Sequence, residues 1–300
     1  MISMLGQGLI LSALVCAGAG AMLAFVAGAK RSTSGTHLAR RAAQLFAILL
    51  IAANFLMVYA LLAPDFSVGY VAKVGSTKVP TWVAVVSLWS SLEGSILFWG
   101  AMLGVYVLAS VHDVGDHHPE HLPWFLGVLL ACSVFFAFLL AGPANPFLPV
   151  PNPATEGPGP NPLLQNHLLM IIHPPMLYGG YVGMTVPFAL AMSALMAGNL
   201  GPNFVPRLRR WLMIPWIFLT AGIVLGGWWA YEVLGWGGYW DWDPVENASF
   251  FPWLTATAAL HSVLVVARRG ALKIWSITLV LATFLLTILG TFMTRSGVFN

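Results

Sequence analysis

Charge is what this sequence has least of. Asp, Glu, Lys and Arg make up 8% of its 300 residues, against about 25% in a soluble domain. That scarcity excludes an ordinary water-soluble globule. The net charge of +3 then says little about nucleic acid, and the basic residues read instead as topology signals. Cysteine is nearly absent. Cys16 and Cys132 both lie inside apolar runs and form no CxxC pair, so they give no metal or redox signature and read as small buried hydrophobes. No β-alternation and no internal repeat is evident, which leaves a helical bundle. The N-terminus lacks a basic n-region and a small-residue cleavage site, so residues 6–29 read as a retained first span rather than a cleaved signal.

What is present is hydrophobic length. Apolar residues form 59% of the chain, and a span needs about 20 of them in a row. Eight candidates follow, near 6–29, 42–63, 82–111, 123–142, 168–197, 211–233, 253–267 and 272–294. The expectation is a single all-α, polytopic membrane domain over residues 1–300. Lys30, Arg31, Arg40, Arg41, Arg207, Arg209, Arg210, Arg268, Arg269 and Lys273 fall on one side of that topology. Lys73, Lys78 and Arg295 fall on the other. The bias puts the odd-numbered connections in the cytoplasm and the N-terminus outside. Segments 64–81, 143–167 and 234–252 are then expected to share the outer face. The second of these holds eight prolines between Pro143 and Pro162, a density that forbids helix and favours extended, ordered turns.

The stretch Gly227–Trp253 reads GWWAYEVLGWGGYWDWDPVENASFFPW. It carries six tryptophans, two tyrosines, two phenylalanines and four carboxylates (Glu232, Asp241, Asp243, Glu246), with no Lys or Arg. Between Gly227 and Pro252 it also lacks His, Cys and Met. It cannot supply a strong heme ligand, but its rings can cover the face of a flat apolar ligand and exclude water. Gly227, Gly235, Gly237 and Gly238 allow close backbone approach. The competing reading is an interfacial aromatic belt, although a belt is scattered around a bundle and these residues are concentrated in one loop of about 228–252. Asp241, Asp243 and Glu246 either bind a partner or shape the loop.

Ligands must then come from elsewhere. His173 lies just inside the outer end of the fifth span, followed by Pro174 and Pro175, which are expected to break the helix. It suits axial ligation of heme iron; a hydrogen-bonded interface histidine is the equal alternative. His261 lies about 12 Å below Trp253 at helical rise, where an ionisable group is costly and usually functional. It either ligates a buried cofactor or makes an interhelical hydrogen bond. Glu93, expected inside the third span, serves proton transfer or polar packing. The cluster HDVGDHHPEH, with His112, His117, His118 and His121, offers metal-ligand chemistry or a solvated loop. His167 reads as a loop or interface residue.

These residues carry a resemblance. WGGYWDWDPVENASFFPWL resembles the signature of the WWD heme-handling family. With LWSSLEGSILFW, NPLLQNHLLMIIHPPMLYGGYVG and GTFMTRSGVFN, nearly the whole chain is similar to the N-terminal portion of CcmF-type heme lyase subunits and their nitrite-reductase-system relatives. In many relatives a histidine precedes the intramembrane glutamate; here it is Leu92.

The resemblance implies a cytochrome c heme lyase, acting in a complex, in the bacterial inner membrane with its N-terminus and WWD loop on the periplasmic side. Substrate heme would contact His173, Trp228, Trp229, Trp236, Tyr239, Trp240, Trp242, Asp241 and Asp243. His173 would ligate its iron, and His261 would ligate a separate heme b. Implied partners are a heme chaperone, apocytochrome c with its CxxCH motif, thiol-reducing and apocytochrome-binding subunits, quinol and membrane lipid, with no nucleic acid. The family continues past SGVFN, so the partner histidines are expected beyond Asn300. Two other classes stay open: a polytopic transporter using Glu93 and His261 as a proton path, and a respiratory subunit that binds quinone or heme without lyase chemistry.

Overall fold

A computed structural model describes residues 1–117, 120–162, 167–199 and 204–295. They are helical almost throughout. Among the described residues eight helices, counting 169–197 as one, are long and apolar enough to cross a membrane. No strand occurs among the described residues; the one strand-like feature is an isolated bridge between Val68 and Pro149. The chain divides into two compact units, Met1–His167 and Leu168–Asn300.

The first unit contains α1 (Ile2–Lys30), α2 (Thr33–Leu62), two short helices α3 (Gly69–Val74) and α4 (Thr81–Val86), α5 (Leu92–His117) and α6 (Leu122–Ala141). Its packing rests on small residues. In lipid no hydrophobic force drives one apolar helix onto another, so close backbone approach supplies the attraction. Ala13, Ala17, Gly20, Ala24 and Ala27 are all buried along α1. A Cβ at Gly20 would lie 2.9 Å from that of Ala42 on α2. Met4, Leu11, Val15 and Met22 of α1 are exposed, the face a lipid-facing helix presents.

The third span begins later than expected. Residues 81–91 form α4 and a 3₁₀ turn (Ser87–Trp89), and α5 starts only at Leu92. Tyr70 is the cause: its buried hydroxyl lies 2.8 Å from Ser87 O and 2.9 Å from Leu88 O, and accepts the Ser91 N–H at 3.2 Å. Glu93 therefore sits in the first turn of α5, paired with Lys73 through both carboxylate oxygens at 2.9 and 3.0 Å, rather than in mid-span. The proline-rich stretch is ordered against residues 65–77. Gly69 N–H donates to Leu148 O (2.7 Å), Val150 N–H to Ser67 O (2.9 Å) and Gly159 N–H to Gly75 O (3.0 Å).

The second unit contains α7 (Leu169–Gly183), α8 (Thr185–Ala197), α9 (Phe204–Val233), α10 (Pro244–Arg269) and α11 (Lys273–Arg295). The expected break at Pro174–Pro175 does not occur. Both prolines lie inside α7, and the interruption falls at Met184. Proline's fixed φ suits a helix, and what it removes is its own N–H donor. The preceding turn tightens to a 3₁₀-type bond from Ile171 N–H to Leu168 O at 3.0 Å. The seventh span begins nine residues earlier than expected, at Pro244, because Asp243 caps it by accepting the Glu246 N–H at 2.6 Å.

α10 and α11 meet along a seam of small and hydroxyl residues at heptad spacing. Ser262 and Ser276 hydroxyls lie 2.6 Å apart, and those of Thr255 and Thr283 lie 2.9 Å apart. A Cβ at Gly290 would lie 2.7 Å from Ala248 O. α7 runs antiparallel to α9 through glycines: added Cβ atoms would meet Phe218 at Gly179 (2.9 Å), Leu219 at Gly180 (2.7 Å) and Leu177 at Gly222 (2.7 Å). This close approach positions the site.

Candidate functional site

The α7–α9 contact seats His173. Its Nδ1 lies 2.8 Å from Gly222 O. A carbonyl only accepts, so Nδ1 carries the proton and, in the neutral ring, Nε2 keeps a free lone pair. This is the second-shell arrangement that orients ligating histidines. One turn further along α9, a Cβ at Gly226 would lie 2.6 Å from His173 Cε1, so the ring occupies the space a side chain would fill.

At the next residue the aromatic loop returns. A Cβ at Gly227 would lie 3.0 Å from Tyr239 O, and Tyr239 stacks on Tyr231 of α9 with centroids 4.4 Å apart and planes 7° from parallel. The loop therefore folds back along the last turns of α9 and does not extend beyond it. Gly237 makes the reversal possible at φ +75°, a conformation that costs glycine nothing. His173 and Tyr239 thus meet neighbouring residues of α9.

The loop displays its rings. Trp228 is 50% exposed, Trp236 44%, Tyr239 59% and Trp242 67%. Trp240 packs edge-on to Trp242 (6.0 Å) and Phe250 (5.7 Å). The indole N–H groups of Trp229 and Trp240 are buried without a hydrogen-bond partner. The Trp228 N–H donates to Glu232.

The acidic residues are partly committed to the loop itself. Asp243 caps α10. One oxygen of Glu246 accepts the backbone N–H of Asp241 (2.7 Å) and of Trp242 (2.9 Å). This reciprocal pattern extends a capping box.

Below the loop, α9 and α10 are tied by a crossed pair. Trp216 Nε1–H donates to Thr257 Oγ1, and Trp253 Nε1–H to Thr220 Oγ1, each at 2.8 Å. The two indoles stack at 6.4 Å, and Phe250 stacks on Trp253 at 5.8 Å. His261 follows one turn after Thr257 on α10. Its Nδ1–H donates to Thr257 O at 2.8 Å, and its side chain is exposed. It was expected within the bundle; here it lies on the outer face of α10 in this unit.

Sequence reasoning missed Gly222, Gly226, Trp216, Thr220 and Thr257. Their signals are legible: a small-xxx-small spacing in GIVLG, and a W-x-x-x-T pattern in both WIFLT and WLTAT.

Of the HDVGDHHPEH cluster, His118 lies outside the described residues, and His121 is fully buried beside Glu120 (3.6 Å). Among the described residues no three His, Cys, Asp or Glu side chains converge on a metal site. A single imidazole beside exposed rings cannot hold a bare ion. It can bind a planar macrocycle that brings most of its metal's coordination with it.

Comparison with known proteins identifies relatives of this chain. A family model described as Cytochrome C assembly protein matches residues 89–299. The cytochrome c-type biogenesis protein CcmF of Pseudomonas aeruginosa is 45% identical over 81% of this chain and 37% of its own length. CcmF of Escherichia coli K12 is 44% identical over 85% of this chain and 40% of its own. NrfE of Haemophilus influenzae is 41% identical over 81% and 38%. A solved structure of Cytochrome c Heme Lyase CcmF superposes with a TM-score of 0.87 at 41% identity, covering 99% of this chain and 48% of that one. The chain thus spans about two fifths of the length of these curated relatives.

Proposed function

The chain belongs to the cytochrome C assembly protein family, and from that premise we propose that it docks heme for attachment to apocytochrome c. The observation that carries this reading is the seat of His173. Gly222 O fixes its Nδ1 proton, leaving Nε2 available, and the aromatic loop returns at Gly227, beside Gly226, where the ring sits.

In this proposal heme arrives from a heme chaperone on the outer face of a bacterial inner membrane. His173 Nε2 ligates its iron. Trp228, Trp229, Trp236, Tyr239, Trp240 and Trp242 cover the ring and exclude water. Asp241 and Asp243 add negative potential near the cationic iron. The CxxCH thiols of apocytochrome c then add across the two vinyl groups. Each S–H contributes its sulfur to one vinyl carbon and its hydrogen to the other, so the addition itself consumes no oxidant or reductant. The chain supplies proximity and orientation; thiol-reducing and apocytochrome-binding subunits supply the reduced acceptor.

His261 fits a resident b-type heme, because Thr257 O holds Nδ1 and leaves Nε2 exposed. Such a group, held by His261, would supply one-electron transfer, here from quinol.

Two measurements test this. His173→Ala is expected to abolish capture of chaperone-borne heme and cytochrome c maturation, a loss of at least about 100-fold given what lesser second-shell changes cost metal sites. Unchanged capture and maturation would remove His173 from its role. An optical spectrum of the purified protein should show a b-type band that His261→Ala eliminates; a band that survives refutes the His261 assignment.

A further inference from the structure

We propose that Glu246 and Asn247 are positioning residues that hold Trp242 presented to the ligand, an inference that rests on the docking reading above. Trp242 has φ +59°, a left-handed conformation that a bulky side chain rarely adopts. It is also the most exposed ring of the loop. Left to itself, such a residue would relax and fold its indole onto nearby apolar surface.

The first turn of α10 prevents this by gripping both polar groups of the Trp242 backbone. Its N–H donates to Glu246 Oε2 at 2.9 Å, and its C=O accepts from Asn247 Nδ2 at 2.8 Å. The same Glu246 oxygen accepts the Asp241 N–H at 2.7 Å, and the Glu246 N–H is anchored on Asp243 at 2.6 Å. A capping box needs only a bond back to the N-cap residue. Glu246 reaches one and two residues further, to the pair whose geometry sets the direction of the indole.

The ring meets Trp240 and Phe250 at 83° and 85°, so its neighbours lie edge-on to it and do not stack on its face. Beside it, Trp240 holds a buried N–H without a partner, a donor suited to an acceptor on the ligand's rim. The latch orders this surface before the ligand arrives, so binding does not bear that cost.

The test is a hemin titration of the purified full-length protein in detergent, read by indole fluorescence and the Soret band, for Trp242→Ala, Glu246→Ala, Glu246→Gln and the double variant Glu246→Ala/Trp242→Ala. Glu246→Ala is expected to weaken hemin binding roughly tenfold, the scale of an unsupported left-handed residue. Glu246→Gln should stay within about twofold, because its amide oxygen still accepts hydrogen bonds. In the Trp242→Ala background, Glu246→Ala should add nothing, since it acts through that residue. An equal loss in both backgrounds, or Glu246→Gln as weak as Glu246→Ala, overturns the latch. Wild-type binding by Trp242→Ala overturns the latch and the docking role of that ring together. Weak binding by Trp242→Ala with full binding by Glu246→Ala overturns the latch alone.

Discussion

Residues 143–160 and residues 234–243 are both irregular stretches between long helices, yet they solve their backbone accounting in opposite ways. The first pairs with residues 65–77 through main-chain bonds such as Gly69 to Leu148 and Val150 to Ser67, and it buries Phe147. The second is held by side chains, chiefly Glu246, Asp243 and Asn247, and leaves three large rings, Trp236, Tyr239 and Trp242, in the open. A segment whose main chain is paired with a neighbouring stretch is structural support. One that is ordered but leaves its apolar surface uncovered has that surface available for a ligand.

The comparison breaks most readily at Gly226. Gly226→Leu places carbon where His173 Cε1 now lies 2.6 Å from an ideal Cβ. Overpacking of this kind costs about 1–3 kcal/mol, and hemin affinity should fall by at least about tenfold as the imidazole is displaced, given how metal sites respond to second-shell change. Thermal unfolding and hemin titration measured together should show binding hit harder than stability.

Tyr70→Phe should do the reverse. It removes a buried hydroxyl that serves Ser87 O, Leu88 O and the Ser91 N–H, a loss of about 1–3 kcal/mol in thermal unfolding, with hemin affinity unchanged. A parallel loss of hemin binding would erase the distinction between the two stretches.

The smallest effect concerns pH. Bonds from the Thr77 hydroxyl and N–H hold the Glu156 carboxyl down at about 2, from an ordinary value of 4.5. A depressed carboxylate adds stability above its unfolded value and loses it as pH falls through the folded one. Residues 75–78 should therefore lose hydrogen-exchange protection, corrected for intrinsic rates, between about pH 4.5 and 2. Thr77→Val should blunt that response. Protection that is flat across the window would count against the Thr77 contact.

Helical class, eight spans and the aromatic stretch were legible because hydropathy and composition are local properties. His173 was legible as a candidate because an imidazole beside a proline pair is unusual in a span. Its seat was not, since a missing side chain at Gly226 acquires meaning only when α7 lies against α9. The start of the third span was misplaced for a related reason: the apolar run continues through residues 82–91, while the hydroxyl of Tyr70, seventeen residues before Ser87, decides where the long helix starts. Asp243 and Glu246 were visible as charges, but their capping roles depend on where the helix begins, and the aromatic run concealed that boundary.

The crossed pair of Trp216 with Thr257 and Trp253 with Thr220 has a mechanical consequence. Each diagonal resists sliding of one helix along the other, so a slip of even one turn would have to break both bonds at once. Above the upper bond of this brace α9 continues for thirteen residues from Thr220 to Val233, whereas α10 has only nine between Pro244 and Trp253. The loop must descend the difference, about 6 Å at helical rise. The brace thereby sets the height at which Tyr239 comes back down beside His173, as a fixed stop sets the travel of a hinge.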